Sequence, residues 1–185
     1  CILTTFETAD MLELCTPIIY GSPKAATYYG KYLNSPVEFS IIQNAAEAHK
    51  SKLNLLVAID EEIKLSPGNP NRESASAGLF ALNRALDDYK ENAYHALVTM
   101  PTGQELMHDL DSTYTNEIEY IAHHIGKKEE AIQTRPSPLY VTDGMRVALL
   151  SQANSLNGIT TDVTKENIIA KVELLQQTLR CDFPI

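Results

Sequence analysis

The sequence predicts an α/β layered fold built on a largely parallel sheet, with at least one antiparallel hairpin. Three observations carry this. Short apolar, β-prone runs at Pro17–Gly21, Val37–Ile42, Leu53–Ile59 and His95–Met100 alternate with stretches of helical spacing. One such stretch, Glu73–Asn92, places Leu79, Leu82, Leu86 and Tyr89 on one face. Near the end, Asp143-Gly144 separates two apolar runs, Ser137–Val141 and Arg146–Leu150. That is the pattern of a hairpin turn, in which Gly accepts positive φ and Asp bonds its own backbone.

In chain order, residues 2–14 read as helical with a break near Thr8–Asp10, where Asp10 is placed to cap a second turn. Pro17–Gly21 reads as a short buried strand. Ser22 then caps a helix with Pro23 at its first position. Ala25, Ala26, Tyr29 and Leu33 form its inward side, and it stops near Asn34. Ser66–Asn71 (SPGNPN) is the clearest loop. After His95–Met100, Pro101 opens polar helices, and Tyr114–Ile125 is the better defined of these. Lys127–Pro136 has no period and reads as an exposed connection. Thr164 caps a final helix whose Ile168, Val172, Leu175 and Leu179 share a face, and Pro184 ends it. A boundary near Pro101 divides the chain into residues 1–100, part of a first α/β lobe, and 101–185, part of a second lobe with hairpin 137–151.

Composition narrows the function classes. With 185 residues and 44% hydrophobic content the chain is long enough for a substantial core. Its net charge of −9 opposes binding to nucleic-acid phosphates or an anionic membrane face, and neither is an expected partner. The apolar runs are shorter than a bilayer span. Three cysteines cannot all pair, and they read as reduced thiols of a cytoplasmic protein. The opening Cys-Ile-Leu-Thr is expected to belong to a piece of a longer chain.

The densest group of ligand-type side chains is Glu117, Glu119, His123 and His124. Glu119 and His123 are spaced i,i+4 on one helix face, as are Tyr120 and His124. Such a pair without a third ligand is a weak metal motif, and the bland reading is a solvated face with one His against the core. His95 and His108 read as packing or surface residues, and Asp111-Ser112-Thr113 as turn chemistry. Arg146 opens the second hairpin strand, where a guanidinium reaches either a substrate anion or a structural carboxylate. Ser151, Gln152 and Asn154 gather where that strand ends. There is no GxGxxG, Walker loop, GxSxG or CxxC.

Several stretches, in order from end to end, resemble the 4-hydroxythreonine-4-phosphate dehydrogenase family of the vitamin B6 pathway. Pro17-Ile18-Ile19-Tyr20-Gly21-Ser22-Pro23 resembles its P-V-V-Y-G-D-P turn, and Arg72–Gly78 the helix after its T-x-E-S-G turn. His95–Pro101 resembles its A-L-V-T-A-P strand, Asp143–Leu149 its E-G-L-R-V-A-L, and Arg180–Ile185 its L-K-R-D-F-G-I. The resemblance implies an incomplete three-layer α/β/α fold like that of isocitrate and isopropylmalate dehydrogenases, and a homodimer. It implies an oxidoreductase that takes hydride from a small phosphorylated substrate to NAD, with a divalent metal polarising the oxygen.

Against that pattern, the family's metal-ligating His after R-V-A-L falls at Ala153, flanked by Gln152 and Asn154. Its G-H-T-E turn becomes Asn116-Glu117-Ile118-Glu119, and its basic residue after A-P-x-x becomes Gln104. The substrate-cleft candidates are therefore Glu117, Glu119, Arg146 and Gln152, with no metal ligand and no cofactor-binding residue expected in this chain. The expectation is a fragment with diverged or absent activity. Two alternatives stay open: a non-catalytic binding or assembly paralogue, and a metal-dependent enzyme on another substrate using Glu117 and His123.

Overall fold

The structure is a computed structural model and describes residues 1–69, 71–100, 110, 114, 117–125, 138–151 and 156–183. Two compact units are formed, Cys1–Ile132 and Gln133–Ile185. The expected connection at 127–136 and residues His108, Ser112, Gln152, Ala153 and Asn154 lie outside the described residues.

In the first unit, α1 (Ile2–Thr5) and α2 (Asp10–Leu14) confirm a broken helix, with one correction. Asp10 is the first helical residue, and Ala9 before it makes no side-chain cap. Strand β1 (Ile18–Gly21) leads into α3 (Pro23–Tyr32), where the Ser22 hydroxyl accepts from the Ala25 amide at 3.4 Å. Leu33 was expected inward but is 55% exposed, because α3 has already ended beside it. The stop itself is physical. Asn34 takes φ 50°, its amide reaches the Lys31 carbonyl at 3.2 Å, and the Ser35 amide reaches Gly30 at 2.9 Å. These bonds satisfy the last free carbonyls of the helix.

Strands β2 (Phe39–Ile42) and β3 (Leu53–Val57) complete a parallel sheet in the order β1-β3-β2. Each is shorter than its sequence run. Past Val57 the Ala58 amide makes a last rung to the Gly21 carbonyl at 3.0 Å, and the Ile59 amide turns to that same carbonyl at 3.4 Å, which ends the ladder. Central β3 is the core: Leu53, Asn54, Leu55 and Leu56 are all buried, as the middle strand of a parallel sheet requires. The edge strand β1 is only half-buried, not buried as expected.

Asn54 is fully buried, yet its polar atoms are all satisfied. Its side-chain carbonyl accepts from the His49 amide at 2.8 Å. The two hydrogens of its NH₂ are shared among the carbonyls of Pro17 (3.1 Å), His49 (3.0 Å) and Lys52 (3.0 Å). One side chain thus joins the entry of β1 to the 49–52 loop, where Ser51 is held at φ 57°.

Helix α4 (Arg72–Lys90) packs on β1 and is capped by Asn71, whose side chain accepts from the Ser74 amide at 2.8 Å. It ends at Asn92 (φ 57°) with the same pair of closing bonds, Asn92 to Tyr89 (2.9 Å) and Ala93 to Asp88 (3.0 Å). Residues 95–100 are not a strand. They pair with no strand among the described residues, and Val98 is 79% exposed, whereas Leu97 packs against Leu86 and Tyr120. The run has the composition of a strand without a neighbouring ladder to join. Helix α5 (Glu117–Ile125) packs on α4.

The second unit holds the hairpin β4 (Leu139–Val141) and β5 (Arg146–Ala148), paired antiparallel as expected. Thr142 and Met145 close the turn, the Thr142 amide reaching the Met145 carbonyl at 2.9 Å. Gly144 does not use positive φ, however; Gly68 is the described glycine that does. A short helix α6 (Leu156–Asp162) was not anticipated. Helix α7 (Lys165–Asp182) starts at Thr164, whose hydroxyl accepts from the Asn167 amide at 3.2 Å. Its expected core face is not buried: Ile168 is 42% and Val172 59% exposed.

Replacing Asn54 by Ala removes the side-chain partners of the His49 and Lys52 carbonyls and of the His49 amide, and leaves the Pro17 carbonyl only the backbone amide of residue 54 at 3.2 Å. We expect Asn54→Ala to lower unfolding stability by roughly 2–4 kcal/mol, read from urea denaturation of the 185-residue chain. A loss below the effect of an ordinary surface substitution would refute this role.

Candidate functional site

Glu117 and Glu119 occupy the first turn of α5, where the helix N-terminus favours carboxylates, and His123 and His124 occupy its last turn. Tyr120 anchors the helix: it is buried, packs with Leu86, and its hydroxyl donates to the Asn83 side-chain carbonyl on α4. With Tyr120 inside, Glu119 is exposed and Glu117 half-buried.

Burial raises the Glu117 carboxyl above the ordinary carboxylate range, and a hydrogen bond from Thr99 opposes that in part. Thr99 belongs to the 95–100 segment that was expected as a strand. The failed strand is therefore what supplies a partner to a sequence-predicted site residue.

The histidines behave as the bland reading has it in one case and differently in the other. His124 is the one tucked in, its ring stacked on Tyr120 at 4.1 Å and 25°, with Nδ1 2.8 Å from the Tyr120 carbonyl. A carbonyl only accepts, so that nitrogen carries the proton. His123 is exposed, and its Nδ1 lies 2.8 Å from the Tyr114 hydroxyl. Although adjacent side chains leave a helix in different directions, the two rings lie 5.5 Å apart and both flank Tyr114. Each Nδ1 already has a partner.

Arg146 lies in the other unit. Its guanidinium carbon sits 4.8 Å from the centre of the Phe183 ring, at the end of α7. Among the described residues an aromatic face holds it, not the carboxylate that the structural alternative supposed. Ser151 donates to Asp162 at 2.7 Å, which ties the end of the hairpin to α6.

A second polar constellation escaped sequence reasoning. The buried Asp88 of α4 accepts from the Tyr20 hydroxyl of β1 at 2.8 Å and faces Arg84 Nε at 3.6 Å. Tyr94 lies edge-on to Tyr20 and donates to the Ala85 carbonyl at 2.7 Å. Desolvation first, and then Asp88, hold the Tyr20 phenol far above its ordinary value, and the same causes push Tyr94 up to about 12. The sequence reading put Tyr89 on the inner face, yet Tyr89 is 38% exposed and Asp88 is inside. The signal was available in the small residues: Ala81, Ala85 and Asp88 are spaced four and three apart on the face that meets the sheet.

The side chains described suit hydrogen bonding to a polar group and a proton held on a half-buried carboxyl. They do not make a metal centre. Among the described residues no three His, Cys, Asp or Glu side chains group closely enough to hold an ion. The position where the resemblance expects a ligand is Ala153, whose methyl has no lone pair. An open groove of about 470 Å³ runs along α3 between Pro23, Lys24, Thr27, Tyr28 and Lys31, and includes none of the sequence-predicted site residues. No helix among the described residues is long and apolar enough to cross a membrane.

Comparison with known proteins gives a consistent answer. The family described as pyridoxal phosphate biosynthetic protein PdxA matches residues 13–185. The chain is 35% identical over 184 residues to 4-hydroxythreonine-4-phosphate dehydrogenase of Bacteroides thetaiotaomicron, an alignment covering 100% of the chain and 49% of that relative. The enzyme of the same name from Sulfurihydrogenibium sp. is 26% identical over 91% of the chain and 50% of its own length. A crystal structure of a 4-hydroxythreonine-4-phosphate dehydrogenase from Burkholderia phymatum superposes with a TM-score of 0.74 at 18% identity, covering 96% of this chain and 53% of that one. The last likeness concerns the fold. The chain spans about half the length of the curated relatives it matches.

Two outcomes are expected from the geometry. A carboxyl whose folded-state pKa is raised stabilises the fold below its unfolded pKa, and that contribution is lost as pH rises through the folded value. Glu117→Gln should therefore gain stability relative to the parent between pH 4 and pH 7; a difference that is flat or falls over this window rules the burial out. The same sign applies to Tyr20 and Tyr94, so the parent should lose stability as pH rises above about 10. Tyr20→Phe should cost roughly 1.5–3 kcal/mol at pH 7, through loss of a hydrogen bond to a charged acceptor. It should also flatten the alkaline decline, both read from thermal unfolding across pH 7–12.

Proposed function

The chain belongs to the PdxA family, and from that premise we propose that it is the cleft-bearing half of a dehydrogenase of that family and is incomplete as a catalyst by itself. The observation that carries this is the extent of the match. It runs over residues 13–185 in order, yet the 184 residues aligned with the Bacteroides relative are 49% of that protein.

In this reading the natural reaction is oxidation of a secondary alcohol on a small phosphorylated substrate, in a homodimeric cytoplasmic enzyme of pyridoxine biosynthesis. NAD would take the hydride and a divalent ion would polarise the reacting oxygen. Among the described residues no side-chain group fits a resident ion. What the chain's own residues offer is orientation and proton handling. Arg146 provides a fixed cation for the substrate's anionic end, its planar guanidinium backed by Phe183. Gln152, outside the described residues, would provide a neutral amide six residues further along the chain. In the first unit, Glu117, kept above the usual carboxylate range by burial, provides a carboxyl that holds a proton more readily than an exposed one, and Glu119 adds an exposed carboxylate on the same helix.

A second reading has a specific observation behind it. With Ala153 at the expected ligand position and an acid at Glu117, the chain also suits a paralogue that binds or assembles without turning over substrate. The test is NAD reduction by the purified 185-residue chain with 4-hydroxythreonine-4-phosphate and Mg²⁺. No turnover above background is expected. Turnover at an ordinary enzymatic rate overturns the incomplete-half reading, and a saturable substrate-induced shift in Tm without turnover, abolished by Arg146→Ala, favours the binding role.

A further inference from the structure

The sequence holds one Asp-Gly pair, Asp143-Gly144, and one Asn-Gly pair, Asn157-Gly158. In both, the side-chain carbonyl carbon is open to attack by the next backbone nitrogen, because Gly puts no side chain in the way. The structure separates the two. Asn157 and Gly158 lie inside α6, and the Asn157 carbonyl accepts from the Thr160 and Thr161 hydroxyls at 2.8 and 3.4 Å. Helical side chains lean toward the N-terminus, away from the amide that follows. Asp143 and Gly144 stand instead between β4 and β5, beyond the rung of Val141 and Arg146, and both are exposed. Among the described residues neither the Asp143 carboxylate nor the Gly144 amide has a hydrogen-bond or ion-pair partner. Nor does the turn require its glycine. Gly144 does not take positive φ, and a Cβ there would meet nothing within 4 Å. What this glycine supplies is an unshielded nitrogen.

The acid has the matching length. Where the E-G-L-R-V-A-L stretch has Glu, this chain has Asp143, one methylene shorter. That shorter arm closes a five-membered imide with the next nitrogen, whereas Glu would need a larger ring that forms less readily. We propose that Asp143-Gly144 is a site of spontaneous backbone rearrangement, at which the hairpin turn converts from aspartate to isoaspartate. The Gly144 nitrogen bonds to Asp143 Cγ as its proton leaves, and a Cγ–oxygen bond breaks with loss of one water. The two groups react as an intramolecular pair, which needs no second reactant. The cyclic imide then takes up water at either carbonyl. Opening at Cγ restores aspartate. Opening at the backbone carbonyl leaves the chain running through Cβ and Cγ, with the α-carboxylate as the new side chain. Composition is unchanged, and no oxidant or cofactor enters. The product turn is one methylene longer, next to the bond of the Thr142 amide to the Met145 carbonyl at 2.9 Å. That bond, and the seat of Arg146 on Phe183, are the contacts the longer turn disturbs.

The test is prolonged incubation of the 185-residue chain at neutral pH and body temperature, folded and in guanidinium chloride. Tryptic mapping with electron-transfer fragmentation, and methyl transfer by an S-adenosylmethionine-dependent isoaspartyl methyltransferase, then read the product. We expect an isobaric isoaspartyl form of the peptide ending at Arg146, formed in the folded chain within about threefold of its unfolded rate. Deamidation of Asn157 should be at least tenfold slower in the folded chain than in the unfolded one. Asp143→Glu should abolish the product, and Gly144→Ala, for whose methyl there is room, should slow it at least threefold. Far-UV circular dichroism matching the parent establishes that each variant is folded. In the aged parent the Thr142 amide should exchange at least tenfold faster than in the fresh chain, and in aged Asp143→Glu it should not change. Absence of the isoaspartyl peptide overturns the proposal, as does a product that persists in Asp143→Glu. So does folding that protects Asp143 as strongly as Asn157. Unaltered Thr142 exchange in the converted chain overturns the disturbance of the turn.

Discussion

Much of the first unit depends on one buried amide. Asn54 is the second residue of the central strand, with β1 on one side and β2 on the other, paired with Ile18 and Ser40. It spends all of its hydrogen-bonding capacity on the backbone around the strand entry. A hydrocarbon there would pack as well, but it could not hold the 49–52 turn or the end of the Pro17 approach. Parallel strands have no hairpin to set their register, so register must come from elsewhere. Here a buried side chain ties the start of the central strand to the approach of β1 and to the preceding turn, and its own burial makes those bonds costly to lose.

Downstream, the same unit places its polar groups by packing. Tyr20 leaves β1 and meets Asp88 because the small face of α4 lets that helix sit on the sheet. Tyr120 locks α5 to α4, and the lock decides which of the four ligand-type residues face inward. Glu117 is drawn to Thr99, His124 to its own helix, and His123 to Tyr114. The cluster that looked like a loose ligand set is a set of separate hydrogen-bonded pairs. The second unit has the reverse character, with a capped final helix and a closed turn around surfaces that remain exposed.

Local signals were legible wherever the chemistry is local. Ser22 and Thr164 cap helices, Pro23 opens one, Asn34 and Asn92 end two, and Asp143-Gly144 turns a hairpin. Each needs only neighbouring backbone groups to act. The errors were of another kind. His95–Met100 has strand composition but no ladder beside it, Leu33 lies past the helix that was to carry it inward, and Ile168 and Val172 have a stripe but no cover. Each of these depends on what lies across from the residue. The candidate site shows the same limit: Glu117 was chosen from motif position, whereas its raised carboxyl comes from burial in the fold, opposed in part by Thr99, eighteen residues earlier in the chain.

By itself, then, the sequence determined the α/β class, the caps at Ser22 and Thr164, the hairpin turn, and, through matching stretches in order, the family. These follow from short-range sterics, hydrogen bonding and motif order, which a linear chain carries explicitly. Only the tertiary structure decided that Asn54 organises the sheet entry, that Asp88 and not Tyr89 is inside, and that Arg146 rests on an aromatic ring. The reason is that burial and desolvation belong to pairs of distant surfaces. A residue's neighbours in the chain do not say which surface will remove it from water.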